Sequence, residues 1–90
     1  MTVRFVLPAS WSTLARADLS QLSCNASTVE QALRWLIESH PMFAERVFTE
    51  EGALAPWTIV CLNHIHILDP STAISDGDHE LQIIPALMGG

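Results

Sequence analysis

The residues with the clearest capacity for chemistry stand at the end of the sequence. Gly89 and Gly90, half of the four glycines in 90 residues, follow Pro85, Ala86, Leu87 and Met88 and finish on a carboxylate. Glycine has no Cβ, so such an end is thin and reaches backbone conformations closed to other residues. That shape suits a carboxylate threaded into the active site of another protein. Fraying is the plainer reading of any chain end, and the residues before the glycines decide between the two. Other reactive side chains are sparse. His64 and His66 are two apart and share a strand face, but two histidines without cysteines or further ligands nearby rarely make a zinc site, and no metal is expected. His40 and His79 read as exposed polar residues. Neither Cys24 nor Cys61 has an evident histidine base, and no Ser/His/Asp or paired-carboxylate arrangement stands out, so the domain itself is expected to catalyse nothing.

The elements that must position this end follow from hydrophobic periodicity. Residues 2–7 alternate, with Val3, Phe5 and Leu7 on one face, and Pro8 stops the strand. Residues 9–17, with Trp11, read as a loop or hairpin connection. Residues 19–24 predict a short, polar second strand of edge type. Ser27, Thr28, Val29 and Glu30 form a capping-box sequence, with Ser27 as cap and Glu30 reaching back. Val29, Ala32, Leu33, Leu36 and Ile37 then make one continuous helical stripe. Trp35 falls off that stripe, and Pro41 ends the helix near Ser39 or His40. Residues 42–48 predict a short helix with Val47 and either Met42 or Phe43 turned inward. Residues 57–62 and 65–68 read as strands joined by a turn at Asn63 and His64. The last strand covers residues 80–85, with Leu81 and Ile83 inward, after a turn at Asp76, Gly77 and Asp78.

Asp76, Gly77 and Asp78, then Ile83, Pro85, Gly89 and Gly90, together resemble the C-terminal signature of the ThiS/MoaD family of sulfur-carrier proteins, which are ubiquitin-like β-grasp domains. The order strand, strand, capped helix, strand, strand, tail fits that family over essentially the whole sequence. The resemblance implies an α+β fold, a mixed sheet of four to five strands with one main helix packed on one face. It divides the chain into a β-grasp domain over residues 1–85 and a flexible tail over 86–90. Residues 44–56 exceed what the shortest relatives need, and the layout is similar to the larger carriers, including those that feed sulfur to cysteine synthesis.

The same resemblance implies a mechanism and its partners. An E1-like enzyme uses ATP to adenylate the Gly90 carboxylate, and persulfide or sulfide converts the acyl-adenylate to a thiocarboxylate. A downstream sulfur-accepting biosynthetic enzyme then takes the sulfur. Gly89 lets the tail pass a tight channel, and Met88 and Leu87 give it apolar grip, although smaller residues are common there in relatives. No cofactor is expected on the domain; ATP belongs to the activating enzyme. In the family's strand order 2-1-5-3, Cys24 and Cys61 lie three strand steps apart. At about 4.8 Å per step, that exceeds the reach of a disulfide. Two free thiols are expected. The same order places Val6, Ile59, Cys61 and Ile84 on the open face of the sheet, an apolar patch expected to dock the activating enzyme.

Composition bounds the reading. Ninety residues make one domain. Hydrophobic residues make up 49% and charged ones 16%, a balance that favours folding over disorder. No apolar run approaches membrane-spanning length, and the start reads as a strand rather than a signal peptide, so a cytoplasmic location is expected. The formal net charge is −6, from ten acids against four arginines, with no lysine. Such a surface repels phosphate backbones, which argues against nucleic acid, and speeds encounter with a basic protein surface. Without lysine the chain cannot form lysine-linked chains of itself. Two other readings stay open: a ubiquitin-like modifier that forms amides with other proteins, and a plain β-grasp interaction module that needs no Gly90.

Overall fold

Val3 and Phe5 are buried while Thr2 and Arg4 are exposed, the alternation of a strand with one covered face. In the computed structural model, which describes residues 2–16, 18, 19 and 21–85, that strand is β1 (Thr2–Val6). It is followed by α1 (Ala9–Ala15), β2 (Ser23–Asn25), α2 (Val29–Ser39), a 3-10 turn (Pro41–Phe43), α3 (Ala44–Val47), β3 (Thr58–Leu62), β4 (Ile65–Ile67) and β5 (Asp78–Pro85). The strands form one mixed sheet in the order β2-β1-β5-β3-β4. β5 runs parallel to β1, from Thr2 opposite Asp78 to Val6 opposite Gln82, and antiparallel to β3, from Thr58 opposite Pro85 to Leu62 opposite Leu81. This is the α+β β-grasp architecture expected from the sequence, with helices packed on the sheet.

The covered face is built by strict alternation. Val3, Phe5, Val60, Leu62, Leu81 and Ile83 from three strands meet Val29, Ala32, Leu33 and Leu36 of α2 in one cluster. Each fully buried side chain of this size contributes about 1.5–3 kcal/mol. Trp35, off the helical stripe, is half-buried because it stacks on Phe5 with centroids 5.7 Å apart. Phe43, Val47 and also Phe48 turn inward in the segment after α2, while Met42 is exposed.

Three local expectations change. Residues 9–15 form helix α1 rather than a loop or hairpin, because Trp11 is buried and stacks on Phe43, 4.4 Å between centroids. β2 is shorter and later than residues 19–24: Leu19 is buried, but pairing with β1 begins only at Ser23, opposite Arg4. The helix cap is Thr28, one residue after Ser27. Thr28 is extended and bridges to Ala73, so it is the last strand-like residue before the helix. Its hydroxyl accepts the Gln31 amide at 3.2 Å, and the Gln31 side chain accepts the Ser27 amide at 2.9 Å. Glu30 pairs with Arg34 at 3.1 Å instead. The amides of Val29 and Glu30, which have no partner inside a helix, donate to the carbonyls of Thr72 and Pro70.

The start of β5 is held by a clamp that corrects the reading of His79 as exposed. Asn63 and His64 both have positive φ, 50° and 70°, and form the two-residue turn between β3 and β4. The Asn63 carboxamide oxygen accepts the Glu80 amide at 3.0 Å, and its nitrogen donates to His79 Nδ1 at 2.8 Å. His79, half-buried, donates from Nε2 to the Ser75 carbonyl at 2.9 Å. One neutral tautomer, protonated at Nε2, satisfies both contacts. Gly77, at φ +105°, makes the turn before β5; a side chain there would meet nothing, so the backbone conformation alone calls for glycine.

Asn63→Ala is expected to lower stability by about 2 kcal/mol, from the lost side-chain bonds and the left-handed backbone. Asn63→Gly, which keeps that backbone freedom, should lose roughly half as much. Urea unfolding with an unchanged m-value is the check.

Candidate functional site

β5 carries alternate residues to opposite faces, so burying Leu81 and Ile83 sends Glu80, Gln82 and Ile84 to the face that α2 leaves open. The registers of the sheet then fix what lies beside them. Ile84 is directly opposite Ile59 on β3. Gln82 lies between Val6 on β1 and Cys61 on β3, and Cys61 lies opposite His66 on β4. Val6, Ile59 and Cys61 are half-buried, and Ile84 is 36% exposed. The four apolar residues singled out in the sequence therefore share the open face.

The registers add two features to this face. Gln82 interrupts the apolar residues, so Val6 is a strand removed from Cys61 rather than touching it. His66 borders Cys61, and Leu68, one residue past β4, is 81% exposed. Alternation along residues 65–68 carries the signal that would have found His66, because its partner in the hairpin sets its face.

A polar band bounds the apolar residues toward the start of β5. The Arg4 guanidinium meets the Glu80 carboxylate at 2.7 Å, and His64 Nε2 lies 3.6 Å from the other Glu80 oxygen. Arg4 is well exposed, so this pair contributes little to stability; its role on the face is to define a charged edge. Among the described residues, no group of three or more His, Cys, Asp or Glu side chains could hold a metal ion. His64 lies toward Glu80, and His66 is the register partner of Cys61. His40 lies against Phe43, 5.7 Å between ring centroids.

Cys24 sits on β2 opposite Val3 and packs against the core, while Cys61 sits on β3, with β1 and β5 between them. Both thiols are free. Burial pushes the Cys24 thiol pKa up. The tail residues Leu87, Met88, Gly89 and Gly90 lie outside the described residues, as does the division at residue 86. Pro85, opposite Thr58, is the root from which they continue. No helix among the described residues is long and apolar enough to cross a membrane.

The element order, the mixed sheet with its central parallel pair and the open face define a ubiquitin-like β-grasp protein. No protein-family model matches the sequence, and no curated protein does. Solved structures do match. The crystal structure of SAMP1, a small archaeal modifier protein from Haloferax volcanii, superposes with a TM-score of 0.81 at 26% identity, covering 100% of both chains. CysO, from the crystal structure of the Amycolatopsis orientalis BexX/CysO complex, matches with a TM-score of 0.77 at 23% identity, over 99% of this chain and 98% of that one. SAMP1 from Methanosarcina acetivorans matches with a TM-score of 0.77 at 21% identity, over 99% and 96%. The structural neighbours are thus small archaeal modifiers and a sulfur carrier of the ThiS/MoaD type.

The raised Cys24 pKa leaves little thiolate near neutral pH. Iodoacetamide should alkylate Cys24 in the folded protein at least roughly threefold more slowly than in the urea-unfolded chain, read by peptide mass spectrometry. The neutral thiol is the form the fold prefers, so its contribution is fully present below the ordinary thiol value and is lost as pH rises from that value through the raised one of the folded state.

Proposed function

We propose that this protein is a ubiquitin-like sulfur carrier whose Gly90 carboxylate is activated by an E1-like enzyme. The observation that carries the reading is the position of β5. The C-terminal strand is the middle strand of the sheet and ends at Pro85, so the sequence Ala86, Leu87, Met88, Gly89, Gly90 continues from a firmly held root. The likeness to SAMP1 and CysO over the full chain supports it.

The chemistry balances simply. A carboxylate is a poor electrophile. Its oxygen attacks the α-phosphate of ATP and pyrophosphate leaves, giving an acyl-adenylate with AMP as leaving group. Sulfide displaces AMP at the acyl carbon and leaves the thiocarboxylate directly. A persulfide displaces AMP to give an acyl disulfide, whose S–S bond a thiol then cleaves, releasing the thiocarboxylate as the thiol is oxidised to a disulfide. The sulfur is nucleophilic and stays tethered until the downstream sulfur-accepting biosynthetic enzyme consumes it. Gly90 supplies the reacting carbon, Gly89 admits the backbone to a narrow channel, and Leu87 and Met88 grip its apolar wall. ATP binds to the activating enzyme, and the domain contributes shape and a leash rather than catalytic groups. All of this takes place in the cytoplasm. The activating enzyme docks on the open face with Val6, Ile59, Cys61 and Ile84, the apolar strip that lies beside the root of the tail.

A second reading, a protein modifier that forms amides with other proteins' lysines, is favoured by the likeness to the small archaeal modifier protein of Haloferax volcanii over the full chain. Both use the same adenylate and differ only in the nucleophile that follows.

With the activating enzyme, ATP and a sulfur donor, the C-terminal peptide should gain the mass of an oxygen-to-sulfur exchange localised to Gly90. Fragmentation is needed to separate this from oxidation of Met88, which shifts the mass almost equally. Deletion of Gly90 should abolish the shift. An unmodified tail beside a ladder of conjugates would instead establish the modifier. Ile84→Arg and Ile59→Arg should each raise the KM for adenylation about tenfold, equivalent to about 1.4 kcal/mol of lost docking. Ile84→Arg, on the more exposed residue, should leave the thermal midpoint nearly unchanged. Normal activation of both variants would exclude the open face as the docking site.

A further inference from the structure

A second surface feature lies away from the open face, in the segment that joins α2 to β3. Ala44 and Glu45 of α3, Phe48, Thr49, Glu50 and Trp57 line a groove of about 450 Å³. Trp57 is 45% exposed. Its indole N–H donates to the Glu45 carbonyl at 3.2 Å, and the hydroxyl of the next residue, Thr58, donates to the Arg46 carbonyl. The ring is thereby tied to α3 with its polar handle already used, and what it has left to offer is its π surface.

The groove is also electrostatically one-sided. Glu45 and Glu50 line it and no basic residue does. Neither carboxylate forms an ion pair among the described residues. The aromatic surface here already receives a guanidinium from within the chain: Arg34 stands 5.1 Å from the centroid of the Phe48 ring. Phe48 is buried, so that contact is internal, whereas Trp57 is open to a partner. A ring face flanked by two carboxylates attracts a planar cation through its quadrupole and through charge at once. It is poorly matched to an anion or to a neutral polar group.

Position gives the groove its significance. Thr58 is opposite Pro85, the root of the tail, and Trp57 is the residue before Thr58. The groove therefore adjoins the root of the tail.

We propose that the Trp57 groove is a docking subsite for an arginine side chain on a basic segment of the protein that takes the tail. The guanidinium stacks on Trp57 between Glu45 and Glu50, and its methylene stem lies along the apolar floor. The subsite rests on the proposed carrier function for the identity of the partner, but not for the chemistry of recognition.

The test is an NMR titration of the full chain, labelled with nitrogen-15, using two blocked peptides, Gly-Arg-Gly and Gly-citrulline-Gly. Citrulline keeps the shape of arginine and removes the charge. The arginine peptide should shift the Trp57 indole and the Phe48 and Thr49 amides saturably, and the citrulline peptide should bind at least about fivefold more weakly. The double variant Glu45→Gln, Glu50→Gln, which substitutes exposed residues only, should weaken the arginine peptide by a similar factor, and Trp57→Ala should abolish the localised shifts. Equal binding of the two peptides, shifts centred on the acidic turn at residues 76–80, or unchanged binding by the double variant would each overturn the subsite. Failure of thiocarboxylate formation would defeat the carrier function while leaving this titration as it stands. Intact sulfur transfer with no arginine-specific shift would defeat the subsite alone.

Discussion

β5 exchanges backbone hydrogen bonds with a strand on each side, parallel to β1 and antiparallel to β3, and most other features depend on that. A C-terminal segment is usually among the first parts of a chain to fray. Here it forms the centre of the sheet, and its inward residues Leu81 and Ile83 lie in the middle of the core. Removing it would separate β1 and β2 from β3 and β4, so the sheet cannot persist without it. The consequence for function is mechanical. A pull or a docking force applied beyond Pro85 is transmitted to the best-anchored strand in the molecule.

The rest of the chain is arranged to put β5 in place and keep it in register. The Asn63 side chain spans from the β3–β4 turn to the first residues of β5, and His79 extends the connection to Ser75. The loop between β4 and β5 returns over the helix, where the carbonyls of Pro70 and Thr72 receive the first free amides of α2. Asp69 shapes this loop by accepting the hydroxyl and the amide of Ser71, bonds that hold its carboxyl below the usual range. A slip of one residue in β5 would invert Leu81 and Ile83 and would break the contacts of Asn63 with His79 and Glu80.

The two faces of the sheet have separate duties. One is consumed by α2 and the core. The other offers a modest apolar strip with Arg4 and Glu80 at its edge. The segment 41–57 adds a third surface, acidic and aromatic, near the tail root. An overall charge of −6 without a single lysine makes the whole exterior complementary to a basic protein partner, and the Trp57 groove is where that general attraction meets a shaped, partly apolar receptor.

Much of this was legible in the sequence because the relevant signals are local. The period-2 alternation of β1 and β5, the stripe of α2 and the Asn63–His64 turn each depend on residues a few positions apart. The outward direction of Val6, Ile59, Cys61 and Ile84 followed once the strand order was assumed. What only the tertiary structure decided was contact between distant segments. Trp11 is ambiguous until Phe43 is beside it, and then residues 9–15 form a helix. Ser27 and Thr28 are equally good caps in isolation, and the bridge from Thr28 to Ala73 selects between them. His79 reads as a surface polar residue until Asn63 and Ser75 converge on it. Gln82 divides the open face because β5 lies between β1 and β3, and the Trp57 groove exists because α3 folds back to the start of β3. The sequence by itself determined which residues prefer which local conformation and which side of a strand they occupy. The choice among equivalent local options was made by long-range pairing, since only packing supplies the few kcal/mol that separate them.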